Sequence, residues 1–459
     1  MAKNIIILAD GTGQRGGVLV DERRSNIYKI YRAVRCGPDS SVDAKKQLAY
    51  YDPGLGTLPG GINSIAGMVR TYMNIASQAT GLGILKNMED CYAALIHLWR
   101  PGDQIFLFGF SRGAYTIRCL AGVLSLCGLP TQNADGSALS YAPGKIRKIA
   151  REAVRGVYNY TPSRRVSEAT ERQRELLEQR QLIAARFRQK YGSESDGKSN
   201  SAPYFIGVFD TVASLMNPSS MMIMTLITLS IFAVFAAIGS WLLPGGLLLW
   251  FGAMVGSATA AVSLWLFLSK FRAARSLPGH PFWKTIHINP IRVKMYDKSL
   301  DERVKFARHA ISIDEARHSF PRVKWGTPGV WNPGKPQWFE QLWFAGNHSD
   351  IGGSYPENES RLSDVALDWI VSAAAEVGMH YDPSVLQCDP DPLGMQHDET
   401  KAGVFKFAQK RKRDIKEDAP LHPSVLDRFA ASDVLQCDTI APYRPKNLRT
   451  HKIVKKFYK

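Results

Sequence analysis

One serine in the sequence has the neighbours that a hydrolytic nucleophile needs. Gly109-Phe110-Ser111-Arg112-Gly113 fits the pattern GxSxG, with an apolar run before it and a helical stretch after it. In a nucleophile elbow the serine lies on a tight turn between strand and helix, where flanking glycines such as Gly109 and Gly113 avoid steric clashes. The amide after the serine, that of Arg112, then points to where an oxyanion would develop. The sequence therefore predicts Ser111 as a nucleophile.

A serine hydroxyl needs a base, normally a histidine that a carboxylate orients. In hydrolases with this elbow the chain order is Ser, then Asp or Glu, then His. Asp210 follows the apolar run Tyr204–Phe209, and His348 precedes the glycine-rich run Ser349–Gly353. The carboxyl ends of parallel strands meet at the sheet edge where such sites assemble. We therefore predict a triad of Ser111, Asp210 and His348.

Other residues could take these roles. Asp210 could instead cap a helix that begins at Thr211, and His348 could be an ordinary loop histidine. The competing bases are His309, His318 and His422, and the competing acid is Asp350. The predicted chemistry requires no metal ion and no cofactor, although the acidic loops at Asp10 and Asp350 could hold a cation.

The elements that would position these residues alternate between strand and helix. Short apolar runs are followed by longer helical stretches, a pattern typical of an α/β fold with a mostly parallel sheet covered by helices. The predicted strands are Ile5–Ala9, Gln104–Phe108, Tyr204–Phe209 and Gln341–Phe344. The predicted helices are Asn87–Trp99, one from the elbow to about Ser125, and one or two exposed helices in Lys145–Lys190. Gly192–Ser201 is expected to be a flexible loop.

A long segment between the predicted acid and base carries no charge. Ser219–Ser269 contains no Asp, Glu, Lys, Arg or His. Two helices fit it, Met221–Leu243 and Leu247–Leu268, and each exceeds the roughly 20 residues that cross a bilayer core. We therefore predict a transmembrane hairpin (219–269) inserted into a discontinuous catalytic domain (1–218 and 270–459). A buried helical pair in a soluble core is the alternative.

Charge and cysteine usage indicate the partner and the compartment. With 58 Lys and Arg against 41 Asp and Glu, the net charge of +17 favours an anionic partner. No nucleic-acid-binding motif is evident, so the sequence favours membrane lipid over nucleic acid, with anionic phospholipid as the expected partner. The six cysteines are scattered without a CxxC pair, which indicates free thiols in a reducing compartment. The sequence is compatible with a homo-oligomer and does not decide the oligomeric state.

The flanks of the apolar segment predict its orientation. Lys270, Arg272 and Arg275 follow the second helix, where positive charge favours the cytoplasmic side. The amino-terminal run has no small-residue cleavage site and is expected to be a strand, not a signal peptide. We therefore expect a cytoplasmic catalytic domain, with the basic stretches Lys145–Lys190 and Lys406–Lys416 against the inner leaflet. The alternative is a secreted effector whose hairpin inserts into a target membrane.

Five motifs together resemble one family, the domain-of-unknown-function 2235 family of α/β-hydrolases, which includes type VI secretion phospholipase effectors of the first lipase class. The motifs are Leu8–Gly13, Tyr51–Thr57, Gly109–Tyr115, Phe209–Val212 and Trp343–Gly353. The resemblance implies an α/β-hydrolase fold and hydrolysis of phospholipid esters by Ser111, Asp210 and His348. It also places the Asp-Gly-Thr loop beside the elbow, where Gly11 or Thr12 could supply a second oxyanion amide.

These observations lead to one main functional hypothesis. The protein is expected to be a membrane-bound lipid esterase, a phospholipase or lysophospholipase, that works through an acyl-enzyme. In the first alternative it hydrolyses a soluble ester and the hairpin only localises it. In the second it is a non-catalytic membrane scaffold that retains the fold.

Overall fold

The structure, a computed structural model, describes ten stretches of the chain. They are residues 2–11, 23–54, 82–162, 169–212, 218–242, 244–289, 300–318, 320–326, 338–401 and 410–458.

A six-stranded parallel sheet forms the centre of the described chain. Its strands are β1 (Asn4–Ala9), β2 (Gln47–Asp52), β3 (Gln104–Phe110), β4 (Phe205–Phe209), β5 (Phe306–Ser312) and β6 (Phe339–Phe344). The strand order is β6-β5-β4-β3-β1-β2, and every neighbouring pair runs parallel. The order reverses between β1 and β3, and such a switch point is where ligands bind at the carboxyl ends of parallel strands. The predicted α/β class with a mostly parallel sheet is confirmed.

Helices cover both faces of the sheet. On one face lie α1 (Asn26–Val34) and α10 (Arg361–Glu376), and on the other lie α2 (Leu82–Leu98), α3 (Arg112–Cys127) and α4 (Pro143–Arg151). Alternate residues of β1 enter the two cores: Ile5 and Ile7 pack with α2 and α3, whereas Ile6 and Leu8 pack with α1 and α10. Because both faces are buried, these strands are almost continuously apolar.

The carboxyl-terminal part of the described chain covers the edge strand β6. Its helix α11 (Pro423–Ala430) contributes Phe429 to a third apolar cluster that includes Trp343 of β6. The Trp343 amide donates to the Pro420 carbonyl (3.0 Å) and the His422 amide donates to the Trp343 carbonyl (2.9 Å). These bonds occupy main-chain groups that an open sheet edge would leave unpaired.

Two apolar helices follow β4, and their only charged residue is Lys270 at the end of the second. They are α6 (Pro218–Leu242) and α7 (Leu247–Lys270), which pack against each other. Their described side chains are mostly exposed, with Trp241 at 85% and Leu248 at 84%. By length and composition, each is able to cross a membrane. The exposure does not fit the alternative of a helical pair buried in a soluble core.

Some predicted elements differ from the structure. The predicted loop Gly192–Ser201 contains an antiparallel ribbon, Glu194–Ser195 with Lys198–Ser199, whose turn residues Asp196 and Gly197 both have positive φ. Such a two-residue turn matches the twist of paired strands, which is why the segment is ordered. Strands β2 and β5 were not predicted, because polar residues interrupt both runs.

The basic stretch Lys145–Lys190 is also less exposed than predicted. It contains most of α4, which continues into a π-helical turn at Glu152–Val157, and most of α5 (Glu171–Tyr191). Arg180 and Arg188 are buried, and their guanidinium groups donate to the carbonyls of Thr161 (2.9 Å) and Leu126 (2.8 Å). Part of the positive charge therefore bonds to the protein's own backbone and does not face a partner.

Candidate active site

Ser111 lies on a sharp turn between β3 and α3. Its φ of 58° and ψ of −119° are unusual for a residue with a side chain. A Cβ atom at Gly113 would lie 2.0 Å from the Ala9 carbonyl oxygen, and one at Gly109 would lie 2.6 Å from the backbone of α3. Both positions therefore need glycine, as the elbow motif predicts. The Ser111 amide donates to the Phe209 carbonyl (3.1 Å), which ties the turn to β4.

Asp210 and His348 meet at the same edge of the sheet. Asp210 directly follows β4, and His348 begins the short helix α9 (His348–Gly352) after β6. Both are buried, and the Nδ1 atom of His348 lies 2.5 Å from Oδ2 of Asp210. The Nε2 atom of His348 is buried and has no hydrogen-bond partner among the residues that the structure describes. The structure thus brings together the predicted acid and base, with the second ring nitrogen unoccupied.

Arg413 holds the other side of Asp210. Its Nη1 and Nη2 atoms lie 2.5 and 2.9 Å from Oδ1 and Oδ2 of Asp210, a two-pronged ion pair. Burial alone would raise the pKa of Asp210, but the charge of Arg413 and the hydrogen bond from His348 hold that pKa well below its ordinary value. Asp210 is therefore an anion, which assigns the proton of a neutral His348 to Nδ1 and leaves Nε2 as an acceptor.

The sequence does not indicate that Arg413 contacts Asp210. This arginine lies in the run Lys406–Lys416, which was predicted to face lipid, and for Arg413 that prediction is wrong because the side chain is buried against Asp210. Residues 402–409 lie outside the described residues. No local pattern distinguishes Arg413 from exposed Arg411 two residues earlier. Only the packing of the carboxyl-terminal segment against β5 and β6 identifies its partner.

Two aromatic rings enclose His348. The ring centroids of Phe110 and Phe320 lie 4.7 and 5.1 Å from that of His348. The backbone amide of His348 donates to Oε2 of Glu315 (3.3 Å), and Glu315 pairs with Arg317 at 2.7 Å. Apolar walls of this kind exclude water, which strengthens the electrostatic interactions between the polar groups that they surround.

Two of the predicted oxyanion donors, Gly11 and Arg112, lie beside Ser111, and the amide of Gly11 is occupied. A Cβ atom at Gly11 would lie 3.4 Å from that of Ser111, so this loop adjoins the elbow. The Gly11 amide donates to Oδ1 of Asp10 (2.7 Å). Thr12 lies outside the described residues. Arg112 is the first residue of α3, where the positive end of the helix dipole favours negative charge.

The competing histidines have other contacts or lie at the surface. His309 is buried; its Nδ1 atom lies 3.1 Å from Oε1 of Gln341, and its Nε2 atom accepts from the Thr211 amide (3.5 Å). Burial and the charges of nearby arginines hold the pKa of His309 well below its ordinary value. His422 stacks on Phe344, its side chain caps α11, and burial lowers its pKa to about 4. His318 is exposed.

The competing acid Asp350 supports the His348 helix. Its Oδ2 accepts from the Asn347 amide (2.9 Å), and its Oδ1 lies 2.7 Å from Nδ1 of His397. The other acidic loop residue, Asp10, accepts from the Ser25 hydroxyl, and burial raises its pKa to about 6. Within the described stretches, no group of three or more His, Cys, Asp or Glu side chains is arranged to hold a metal ion.

Comparison with known proteins identifies a family that matches most of this chain. Residues 3–373 match the family model described as "T6SS, Phospholipase effector Tle1-like, catalytic domain". An uncharacterized protein of Saccharomyces cerevisiae, YEL023C, is 32% identical over 132 residues, which are 28% of this chain and 18% of the yeast protein.

Two solved structures are similar at low identity. An uncharacterized protein from Pseudomonas aeruginosa is 17% identical with a TM-score of 0.36, and the match covers 85% of this chain and 48% of that one. The Tle1 effector bound to the VgrG spike from the type 6 secretion system is 14% identical with a TM-score of 0.33, and the match covers 86% of this chain and 77% of that one. The chain thus spans less than half of the first structure and under a fifth of the yeast protein.

Proposed function

From the premise that this chain belongs to the Tle1-like phospholipase effector family of type VI secretion, we propose that it is a membrane-anchored serine hydrolase of α/β-hydrolase fold that cleaves carboxylic esters of lipids. Phospholipids or lysophospholipids are the proposed substrates. The observation that carries the proposal is the buried pair of Asp210 and His348 at the carboxyl edge of the sheet, the same edge on which the strained turn at Ser111 lies.

In the proposed reaction the Ser111 hydroxyl attacks the ester carbonyl and His348 accepts its proton at Nε2. Asp210, held anionic by Arg413, stabilises the imidazolium that forms. The Arg112 amide and the amino-terminal end of α3 stabilise the oxyanion. His348 then returns the proton to the leaving alcohol, and water hydrolyses the acyl-enzyme by the same route. For Gly11 to join as an oxyanion donor, its amide would leave Oδ1 of Asp10.

The exposed apolar helices support a lipid substrate. We propose that α6 and α7 form a transmembrane hairpin within residues 219–269, and that 1–218 with 270–459 form one catalytic domain. Acyl esters are concentrated at the membrane, so an anchor there raises the substrate concentration that the site meets. The positive charge after α7 favours a cytoplasmic domain, and a secreted effector that inserts from outside is the alternative tested below.

Release of fatty acid from phospholipid liposomes tests the reaction. Ser111→Ala is expected to lower the rate on the order of 10⁶-fold, whereas Ser372→Ala, at an exposed position of α10, is expected to retain the wild-type rate. Asp210→Asn is expected to cost on the order of 10⁴-fold. Lipid hydrolysis by folded Ser111→Ala protein would refute the nucleophile. Fluorophosphonate labelling without lipid hydrolysis would favour a soluble ester, and no labelling would favour a scaffold.

Membrane fractionation tests the anchor separately. The wild-type protein is expected to resist carbonate extraction, and replacement of residues 219–269 by a short Gly/Ser bridge is expected to give a soluble protein that still reacts with a fluorophosphonate. A wild-type protein found wholly in the soluble fraction would refute the anchor. Protease added to intact cells is expected to leave the domain intact, and cleavage there would favour the secreted alternative.

A further inference from the structure

Apolar side chains are exposed in the segment that directly follows α7. This segment, residues 270–289, is here called the platform. It is a short antiparallel ribbon, Phe271–Arg272 with His287–Ile288, which encloses the helical turn α8 (Phe282–Thr285). Five large apolar side chains in it are exposed: Phe271, Phe282, Trp283, Ile286 and Ile288. A row of this kind is uncommon on the surface of a soluble protein and marks a contact surface.

The opposite side of the platform is tied to the catalytic domain by hydrogen bonds. The Tyr160 hydroxyl donates to the Thr285 carbonyl (3.2 Å), and Nε2 of His287 lies 2.7 Å from the Tyr160 carbonyl. Gln179 of α5 donates to the Lys284 carbonyl (3.2 Å) and accepts from the Tyr160 hydroxyl (2.7 Å). Tyr160, Gln179 and Thr285 are all buried. These bonds fix the platform to the domain.

The charge of the platform is of one sign. Residues 270–289 contain Lys270, Arg272, Arg275 and Lys284 and no Asp or Glu. Arg275 and Lys284 are exposed beside the apolar row. Basic residues close to an anionic bilayer are attracted to its surface. Trp is enriched where one end of a side chain is apolar and the other is hydrated, as at the edge of a bilayer.

We propose that the platform is a second membrane-contact surface, which lies in the headgroup layer of an anionic bilayer and sets the orientation of the catalytic domain on it. The inference rests on the proposed membrane anchor. A bilayer is the partner that fits because the platform continues directly from α7 and joins exposed aromatic residues to basic residues, with no acidic residue within the platform itself. The anchor alone restricts the distance of the catalytic domain from the bilayer, whereas the platform restricts the rotation of the domain about the hairpin.

Photocrosslinking to lipid in the full-length protein tests the platform. Benzoylphenylalanine replaces Trp283 in protein reconstituted into phosphatidylcholine vesicles with phosphatidylglycerol and a radiolabelled lipid. The matched control replaces Ile440, because Trp283 and Ile440 are 73% and 72% exposed and Ile440 lies in the distant ribbon Val434–Gln436 with Thr439–Ala441. A positive control replaces Leu248 of α7. We expect the lipid adduct at Trp283 to approach the yield at Leu248, with only background at Ile440.

A charge variant adds a second readout. Lys284→Glu is expected to reduce the adduct at Trp283, and omission of phosphatidylglycerol is expected to do the same, without any change at Leu248. Fluorophosphonate labelling of the same samples reports separately on the proposed hydrolase. Background at Trp283 with full yield at Leu248 overturns the platform and leaves the anchor intact. Background at both positions overturns anchor and platform together, and a protein adduct at Trp283 overturns the bilayer as partner.

Discussion

Replacement of Arg413 by glutamine tests the electrostatic account of the site. Asp210 is fully buried, and Arg413 neutralises it through two short contacts. Removal of one member of a buried ion pair leaves an uncompensated charge and costs about 3–5 kcal/mol. Unfolding entropy is about 2.1 cal/mol/K per residue, so over roughly 400 residues this cost lowers Tm by about 4–6 °C. Arg411→Gln, at an exposed neighbouring position, is expected to change stability by less than about 0.5 kcal/mol.

The pH dependence of the same variant gives an independent check. In the wild type the depressed pKa of Asp210 contributes stability above the unfolded value of about 3.9, and that contribution is lost only as the pH falls through the folded pKa. In Arg413→Gln, only His348 still opposes the effect of burial on the pKa of Asp210, so Asp210 takes up a proton at a higher pH than in the wild type. The difference in Tm is therefore expected to be largest near neutral pH and to shrink towards about pH 4.

Thermal unfolding of the two variants in detergent micelles, followed by circular dichroism from acid to neutral pH, measures both effects. A fall in Tm of less than about 1 °C for Arg413→Gln at neutral pH would show that the pair is screened by water or relaxes without cost. A loss that does not depend on pH would indicate lost packing in place of a lost charge interaction. Either result would refute the account of Asp210 given above.

Three further predictions address the elbow, the first strand and the base. Gly113→Ala is expected to lower Tm strongly because its Cβ would overlap the Ala9 carbonyl, whereas Gly144→Ala, with open space around it, is expected to be neutral; equal effects on Tm would contradict the close approach. Asp10→Asn is expected to weaken the dependence of Tm on pH between pH 4 and 7. Burial raises the pKa of Asp10 to about 6, and the stability that the protonated carboxyl contributes is lost as the pH rises through that value. His422→Ala is expected to retain the fluorophosphonate labelling that His348→Ala loses. If instead His422→Ala loses labelling and His348→Ala retains it, His422 is the base.

The sequence predicted the parts of the site that local pattern determines. An apolar strand, GxSxG and a helix predict the turn at Ser111 from local sequence, and the steric demand at Gly109 arises from Gly113 and Ala114 a few residues away. The demand at Gly113 comes instead from the backbone of Ala9 on the neighbouring strand β1. The pairing of Asp210 with His348 was also predictable, since both follow strands whose carboxyl ends share one edge of a parallel sheet. Whether these three residues perform catalysis stays a proposal.

The parts that were missed depend on contacts between distant segments. Arg413 carries no local signal, and its role follows from the way the chain after α10 packs on β5 and β6. Strand β5 was overlooked because Arg308 and His309 interrupt its apolar run, yet the sheet buries both side chains beside Glu340 and Gln341. Tertiary partners of this kind override the strand pattern that a local window detects.

The span between Asp210 and Arg413 has a consequence for the order in which the protein is made. The two residues are 203 positions apart, so the segment that carries Arg413 is synthesised after Asp210 and after α6 and α7. Until that segment has been synthesised, Asp210 lacks the cation that compensates its charge when it is buried, although α6 and α7 have already been made. A nascent chain therefore carries both apolar helices before the ion pair between Asp210 and Arg413 is able to form.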